Sequence, residues 1–278
     1  MWYVILLLIA LTGCEAPQAP TDGVQAQATK DSASSPSSGN EPLTAGTSAS
    51  SLINGCDPIE TPFGGGSGTD TDPYLICSTA QMAHSLQGDH YQLVSDLDYS
   101  GVAFSPMHGA GGTFDGQGHV IKNVTYDGRG TGTDAAFFFQ IGAATVSHLI
   151  FDHISIKACG ACKSAIVAAY ANSMTFDDIQ VTNSSLTPGG GTENGGIIGY
   201  SVNSNVLHSF TSFTFTPGDV GALVGVNYGG VDHSDSSASA RLVYANENLG
   251  FVTNCGYKGA AQIDLSTSYN FGTVMGCN

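Results

Sequence analysis

The chain has 278 residues, of which only 11% are charged and 37 are glycine, and its 7 Lys and Arg face 23 Asp and Glu for a net charge of −16. Average soluble chains hold about 25% charged residues and ~7% glycine, so this one is acidic, glycine-rich and of low charge density. The cation deficit excludes a nucleic-acid binder working by phosphate neutralisation. A hydrophobic share of 41% excludes disorder throughout, and abundant Gly, Ser, Thr and Asn exclude a long helical protein.

Residues 1–11 read MWYVILLLIAL, an apolar run too short to span a hydrocarbon core of about 30 Å. The run ends in Leu11-Thr12-Gly13-Cys14, which resembles the lipobox of bacterial lipoproteins, where the cysteine thiol is acylated before cleavage. That resemblance implies a signal peptide over 1–13 and a mature protein tethered to the membrane through Cys14 rather than spanning it. The run departs from the pattern in having no Lys or Arg, and an ordinary secretory signal with a coincidental cysteine is the competing reading. Glu15 stands where an Asp would resemble the inner-membrane retention signal of some bacteria, which directs the expected anchor to the outer membrane of a bacterial cell envelope.

From 14 to 51 the sequence is Ala, Ser, Pro, Thr, Gln and Gly, with four of the ten prolines (Pro17, Pro20, Pro36, Pro42) and almost no large apolar residue. Such a stretch cannot bury enough surface to offset its ordering entropy, so it reads as a disordered tether. The folded part is then 52–278.

Beyond Cys14 six cysteines remain, an even number that suggests disulfides in an exported protein. Neighbour pairing, Cys56 with Cys77 and Cys255 with Cys277, would clip the two ends of the domain, where fraying begins. Cys159-Gly160-Ala161-Cys162 is a C-x-x-C without the βαβ context of a redox site or the second pair of a zinc site. A tight loop disulfide is the favoured reading and a catalytic redox role the weaker one.

The domain is repetitive. Segments beginning at Ala135, Ser164, Gly195, Gly221 and Leu249 share a short apolar stretch between small residues, and successive starts differ by 29, 31, 26 and 28. Runs such as Val146–Phe151 and His153–Ile156 follow, with the alternation of half-buried strands. Repeats of this length with two or three strands and no helix predict a solenoid. An all-β, right-handed parallel β-helix fits the pattern better than a propeller or a sandwich.

Gly221-Ala222-Leu223-Val224-Gly225-Val226-Asn227-Tyr228-Gly229-Gly230-Val231 resembles the GLUG motif, G-L-V-G-x-N-x-G-G-x-I, of bacterial surface proteins, with Gly196-Ile197-Ile198-Gly199 a looser copy. Gly68–Ile76, Tyr91–Asp98 and Gly112–Ile121 are similar to the lead-in of the same proteins. The resemblance covers about 60–235, and residues after about Arg241 depart from it. It implies a right-handed β-helix of the kind found in adhesin-like proteins and in the N-terminal regions of some immunoglobulin A peptidases, and it fixes fold rather than activity.

An open solenoid end exposes strand edges, so the lead-in, about 52–110, is expected to form a cap ahead of coils over about 111–278. Ser78 or Thr79 is placed to N-cap a short capping helix through about Gln87, with Met82, Ala83 and Leu86 facing inward and Gly88 ending it.

Aligning the turns between the second and third strands gives a polar column: Lys122-Asn123, Asp152-His153, Asp177-Asp178, His208-Ser209 and Asp232-His233. Stacked at ~4.8 Å, Asp152, His153, Asp177, Asp178, His208, Asp232 and His233 are candidate ligands for Ca²⁺ or another divalent cation. Asp177 and Asp178 are alternative candidates for the paired carboxylates of a glycoside hydrolase. Plain solvation of a turn is the favoured reading, because no recognised ligand spacing occurs. Tyr170, Tyr200 and Tyr228 recur after the apolar stretch and can form an outer ladder, or edge packing. The sequence predicts a non-enzymatic, adhesin-like or structural envelope module with a glycan or protein surface ligand and no required cofactor. The alternative is a polysaccharide lyase or hydrolase of the pectate-lyase-like β-helix type, although the His-Gly and Arg-x-Lys motifs of the hydrolases are missing.

Overall fold

A parallel ladder in near-constant register organises the chain. The structure is a computed structural model and describes residues 51–85, 88–142, 144–191, 193–216, 220–232, 234–236, 241–243, 247–248, 251–253, 256–257, 269–270 and 273–275, the last six stretches, Ala110 and Asp235 by backbone alone. The expected signal peptide, tether and Cys14 lie outside the described residues, as do Cys255 and Cys277. Among the described residues 53% are strand and 2% helix, with parallel strands wound into a β-solenoid of about four turns. No helix among the described residues is long and apolar enough to cross a membrane.

Each full coil presents several strand segments, and each segment pairs with its counterpart one coil on. Phe138–Gly142 pairs with Ala168–Asn172, which pairs with Ile198–Leu207. Thr145–Asp152 pairs with Thr175–Thr187, and that long strand continues onto Ile198–Leu207 and Phe210–Phe215. The same ladder already runs through Tyr74–Ile76, His90–Leu93 and Thr113–Asp115, so the stacking begins inside the lead-in.

Alternation then decides what faces inward. Tyr91, Phe114, Val146, Phe176, Val206 and Val231 occupy one register position on successive coils, each at most 1% exposed. Ile121, Phe151 and Val181 form a second stack, which Thr211 and Ser236 continue. Full burial of one such apolar side chain stabilises the fold by about 1.5–3 kcal/mol.

Small residues recur because backbones meet closely. A Cβ on Gly199 would lie 2.7 Å from the Ala169 carbonyl and 2.8 Å from that of Glu193, and one on Gly225 would lie 2.5 Å from the Gly199 carbonyl. Gly199 and Gly225 are therefore packing requirements. Two details of the expected repeat shift. Ser164 pairs with Asn194, so the segment aligned on Gly195 starts one residue earlier. Phe251–Thr253 pairs with Gly230–Asp232, whereas Gly221 pairs with Arg241; the segment at Leu249 therefore follows a later part of the coil, the coil having shortened.

The cap is pinned by polar contacts. The helix α1, Thr79–Met82, is N-capped by Ser78 in a capping box with Gln81. It stops well before Gln87; Met82 is buried but Ala83 is exposed, and Leu86 lies outside the described residues. Fully buried Gln81 accepts from the Cys77 and Ser78 amides at 2.8 and 3.1 Å and donates to the Asp57 and Glu60 carbonyls at 2.7 and 2.8 Å. The Cys56–Cys77 disulfide closes the same region, and Cys159–Cys162 forms the tight loop disulfide. Replacing Gln81 with Leu keeps the volume but leaves buried donors and acceptors unpaired, at about 1–3 kcal/mol each. Gln81→Leu is expected to lower stability by about 3 kcal/mol in urea denaturation, and a loss below about 0.5 kcal/mol would contradict this account of the cap.

Candidate functional site

The corners of the coil carry the Asp and His residues that the sequence singles out, and backbone geometry places them there. At one corner, which falls within Thr145–Asp152 and Thr175–Thr187 and at the matching points of the neighbouring coils, the turning residue is Gln117, His148, Asp178 or His208, with φ of 52°, 50°, 53° and 46°. At the next corner it is Asn123, His153 or Asn183, with φ of 61°, 53° and 46°. Asn, Asp and His are the non-glycine residues most enriched in this left-handed region. The corner thus selects the residue types that a metal site would also select.

The expected single polar column is split by the register. Asp152 lies opposite Lys122 and Thr182, while Asp177 lies opposite Ser147 and Leu207. Asp152 and His153 belong to one corner; Asp177, Asp178, His208 and Asp232 belong to the other, since Leu207 and Asp232 are also opposite each other. His233 lies outside the described residues. The sequence alignment joined two different turns because both read as a polar pair after an alternating strand.

Within each corner the polar groups tie one coil to the next. Nδ1 of His148 donates to Asp115 at 2.9 Å, and Nδ1 of His208 donates to Asp177 at 2.7 Å. His119 meets Asp96 in the same way at 3.1 Å. Asp152 accepts from Thr182 Oγ1 and Asn183 Nδ2 of the following coil, both at 2.8 Å, and from His153 Nδ1 at 2.6 Å. Asp98 accepts from Asn123 Nδ2 at 2.8 Å. Among the described residues, no three His, Cys, Asp or Glu side chains converge on a position that would hold a metal ion. The candidate ligands Asp152, His153, Asp177, Asp178, His208 and Asp232 are thus spread along two seams rather than gathered.

Charge follows these contacts. The Asp115 hydrogen bond, with the fields of Asp178 and Asp177, outweighs partial burial and raises the His148 pKa above its ordinary value. Burial pushes the Asp152 carboxyl up, but its hydrogen bonds from Asn183, His153 and Thr182 prevail and the pKa is lowered. The Val120 amide and His119 hold Asp96 low. Hydrogen bonds from Asn123 and Ser100 hold Asp98 at about 2.

A different kind of surface lies on the outer side of the preceding strands. His108, Gln140, Tyr170 and Tyr200 share one register position. The Tyr170 and Tyr200 rings stack at 5.8 Å and 11°, and Tyr228, two residues out of that register, lies 5.6 Å from Tyr200. All three tyrosines are half-buried. Lys163 Nζ stands 5.6 Å from the Tyr200 ring centroid and 3.6 Å from Glu193. Tyr170 and Tyr200 turn their ring faces to one another, whereas Tyr228 is tilted by 46° from Tyr200.

No protein-family model and no curated protein matches the sequence. The chain is similar in structure to a Bacteroides ovatus protein whose crystal structure is described as that of a putative immunoglobulin A1 protease, with a TM-score of 0.52, 20% identity, and coverage of 77% of this chain and 86% of that one. At that identity the likeness is one of fold.

The corners give stability two pH limits. A raised His148 pKa contributes stability that is complete below its unfolded value near 6.5 and lost as pH rises through the higher folded value. Lowered carboxyls at Asp96, Asp98 and Asp152 contribute stability above about 4 that is lost as pH falls. NMR titration is expected to find His148 above 6.5 in the native chain and returned toward that value in Asp115→Asn. An unchanged His148 titration would break the assignment.

Proposed function

We propose that the chain is a lipid-anchored, adhesin-like binding module of the bacterial cell envelope, related to the GLUG-motif surface proteins and held at Cys14. Its recognition surface is the outer side of the β-helix. The observation that carries this reading is the ladder of Tyr170, Tyr200 and Tyr228 with Lys163 alongside. A parallel solenoid holds such side chains on a rigid backbone, so little ordering entropy opposes ligand binding. Tyrosine combines a large rigid body with a hydroxyl that exchanges hydrogen bonds. A row of phenols suits a polyhydroxylated surface ligand, a glycan, better than an apolar one.

The alternative, polysaccharide cleavage at Asp177 and Asp178, draws less support. Asp177 accepts a hydrogen bond from His208, and Asp178 is itself the turning residue of the corner. General acid–base work by a carboxyl pair needs both groups facing one substrate bond, whereas these side chains follow a seam of cross-coil contacts. The peptidase description carried by the Bacteroides protein belongs to that protein.

Two measurements test the proposal. On a glycan array, with and without Ca²⁺, the native chain is expected to bind a subset of glycans and the double variant Tyr170→Ala, Tyr200→Ala to bind them at least tenfold more weakly, about 1.4 kcal/mol, with an unchanged circular dichroism spectrum. Release of reducing ends from a polysaccharide, abolished by Asp177→Asn, would replace the binding reading with the enzymatic one. Globomycin is expected to leave the precursor unprocessed, and normal processing in its presence would remove the lipid anchor from the proposal.

A further inference from the structure

The cap contains a groove that neither the coil ladder nor the tyrosine strip explains. It encloses about 320 Å³ between α1 and the segment around 99–107. Ala80, Ala83, Val102, Ala103, Phe104 and Met107 supply its apolar walls, and the hydroxyl-bearing residues Thr79, Ser105 and Tyr99 complete the lining. None of these side chains is charged. Val102 is 43% exposed, an apolar surface left to water in the free protein.

Tyr99 is the telling residue. It is 6% exposed, with its ring edge-on to Phe104 at 5.6 Å and to Phe137 at 6.2 Å. Among the described residues its hydroxyl makes no hydrogen bond, and burial alone pushes its pKa well above the ordinary phenol value. The phenol is therefore a neutral donor at any physiological pH. Buried hydroxyls in native proteins nearly always find a partner, and leaving one unpaired costs about 1–3 kcal/mol. Here the unpaired hydroxyl belongs to a residue that lines a groove of ligand size. The contrast with the coil interior is sharp, because buried Ser184, Ser204, Ser209 and Ser234 all donate to backbone carbonyls.

We propose that this groove binds a small, uncharged, largely apolar molecule bearing one hydrogen-bond acceptor, to which the Tyr99 hydroxyl donates. The volume stands at the lower end of the usual range for ligand pockets, about 300–1,000 Å³, which suits a single ring or a short branched aliphatic rather than a long chain. Walls without charge disfavour carboxylates, phosphates and amines, whose desolvation would go unrewarded. The site is independent of the tyrosine ladder and of the anchor.

Acetophenone, with a carbonyl acceptor, and ethylbenzene, of similar shape without one, are the probes. In ¹H–¹⁵N spectra of the full chain, acetophenone is expected to give saturable shifts at 79–83 and 99–107 and to bind about tenfold more tightly than ethylbenzene. Tyr99→Phe is expected to abolish that preference, to leave ethylbenzene binding unchanged, and to leave the thermal midpoint of the free protein equal or higher. Ala83→Leu, at an exposed position of the groove, is expected to weaken both probes at least tenfold while the fold persists. Absence of saturable shifts, equal affinity of the native chain for the two probes, or a preference retained in Tyr99→Phe would overturn the proposal. A lowered midpoint in Tyr99→Phe would do the same, because it would show the hydroxyl already satisfied within the free protein.

Discussion

The structure depends on one constraint: the chain must return to the same place, in the same register, after each coil. Thr175–Thr187 meets the preceding coil along Thr145–Asp152 and Ser155–Lys157 and the following one along Asn205–Leu207 and Phe210–Phe215. A strand paired on both sides cannot slip by one residue without turning its whole apolar set outward. The corners must therefore fall at fixed points, and each is made by a left-handed residue, joined by Gly118 at the Gln117 corner. Holding a non-glycine residue there costs roughly 1–2 kcal/mol. Burial of the next side chain offsets that cost where the corner is followed by Leu149, Ile154 or Ile179, each at most 1% exposed.

Toward later coils that apolar follower becomes serine. Leu149 and Ile179 give way to Ser209 and Ser234, and Ile154 gives way to Ser184. Each serine hydroxyl accepts from a backbone amide of the preceding coil and donates to a carbonyl two residues back in its own coil, as Ser209 does with Ile179 and Leu207. Because both halves of the hydroxyl are satisfied, burying it carries little penalty. The interior thus trades dispersion for fixed hydrogen-bond geometry without opening a polar cavity.

How much of this was legible in the sequence depends on which force each feature obeys. Alternation and a repeat near thirty residues identify a β-helix because burial period and pairing register are sequence-periodic. The pairing of Cys56 with Cys77 and of Cys159 with Cys162 followed from neighbourhood along the chain. The polar column was misassigned because His153 and Asp178 look alike in sequence, each a polar residue ending a strand, while belonging to different corners. The helix extended too far on paper because Met82 and Leu86 have helical spacing, whereas the chain leaves the helix at Ala83. The Tyr99 groove gave no sequence signal. Its walls come from two segments about twenty residues apart, and an unpaired hydroxyl is visible only once every partner has a position.

The net charge of −16 also acquires a structural meaning. Along one outer row the ladder reads Asp115, Ser147, Asp177, Leu207, Asp232. Along another it reads Asp98, Lys122, Asp152, Thr182. In both rows a carboxylate is followed by a residue that is not one, so like charges stand two rungs apart, about 9.6 Å. That distance is close to the screening length of about 8 Å at physiological ionic strength, whereas neighbouring rungs would place carboxylates well inside it. Asp178 breaks the alternation by standing beside Asp177, and His148 on the preceding coil, already hydrogen-bonded to Asp115, has its pKa raised further by both. The single crowded point in the row thus lies beside the imidazole whose pKa it raises. An acidic solenoid of this kind keeps a soluble, repulsive surface without setting its own coils against one another, because the repeat that stacks apolar residues inside also separates the charges outside.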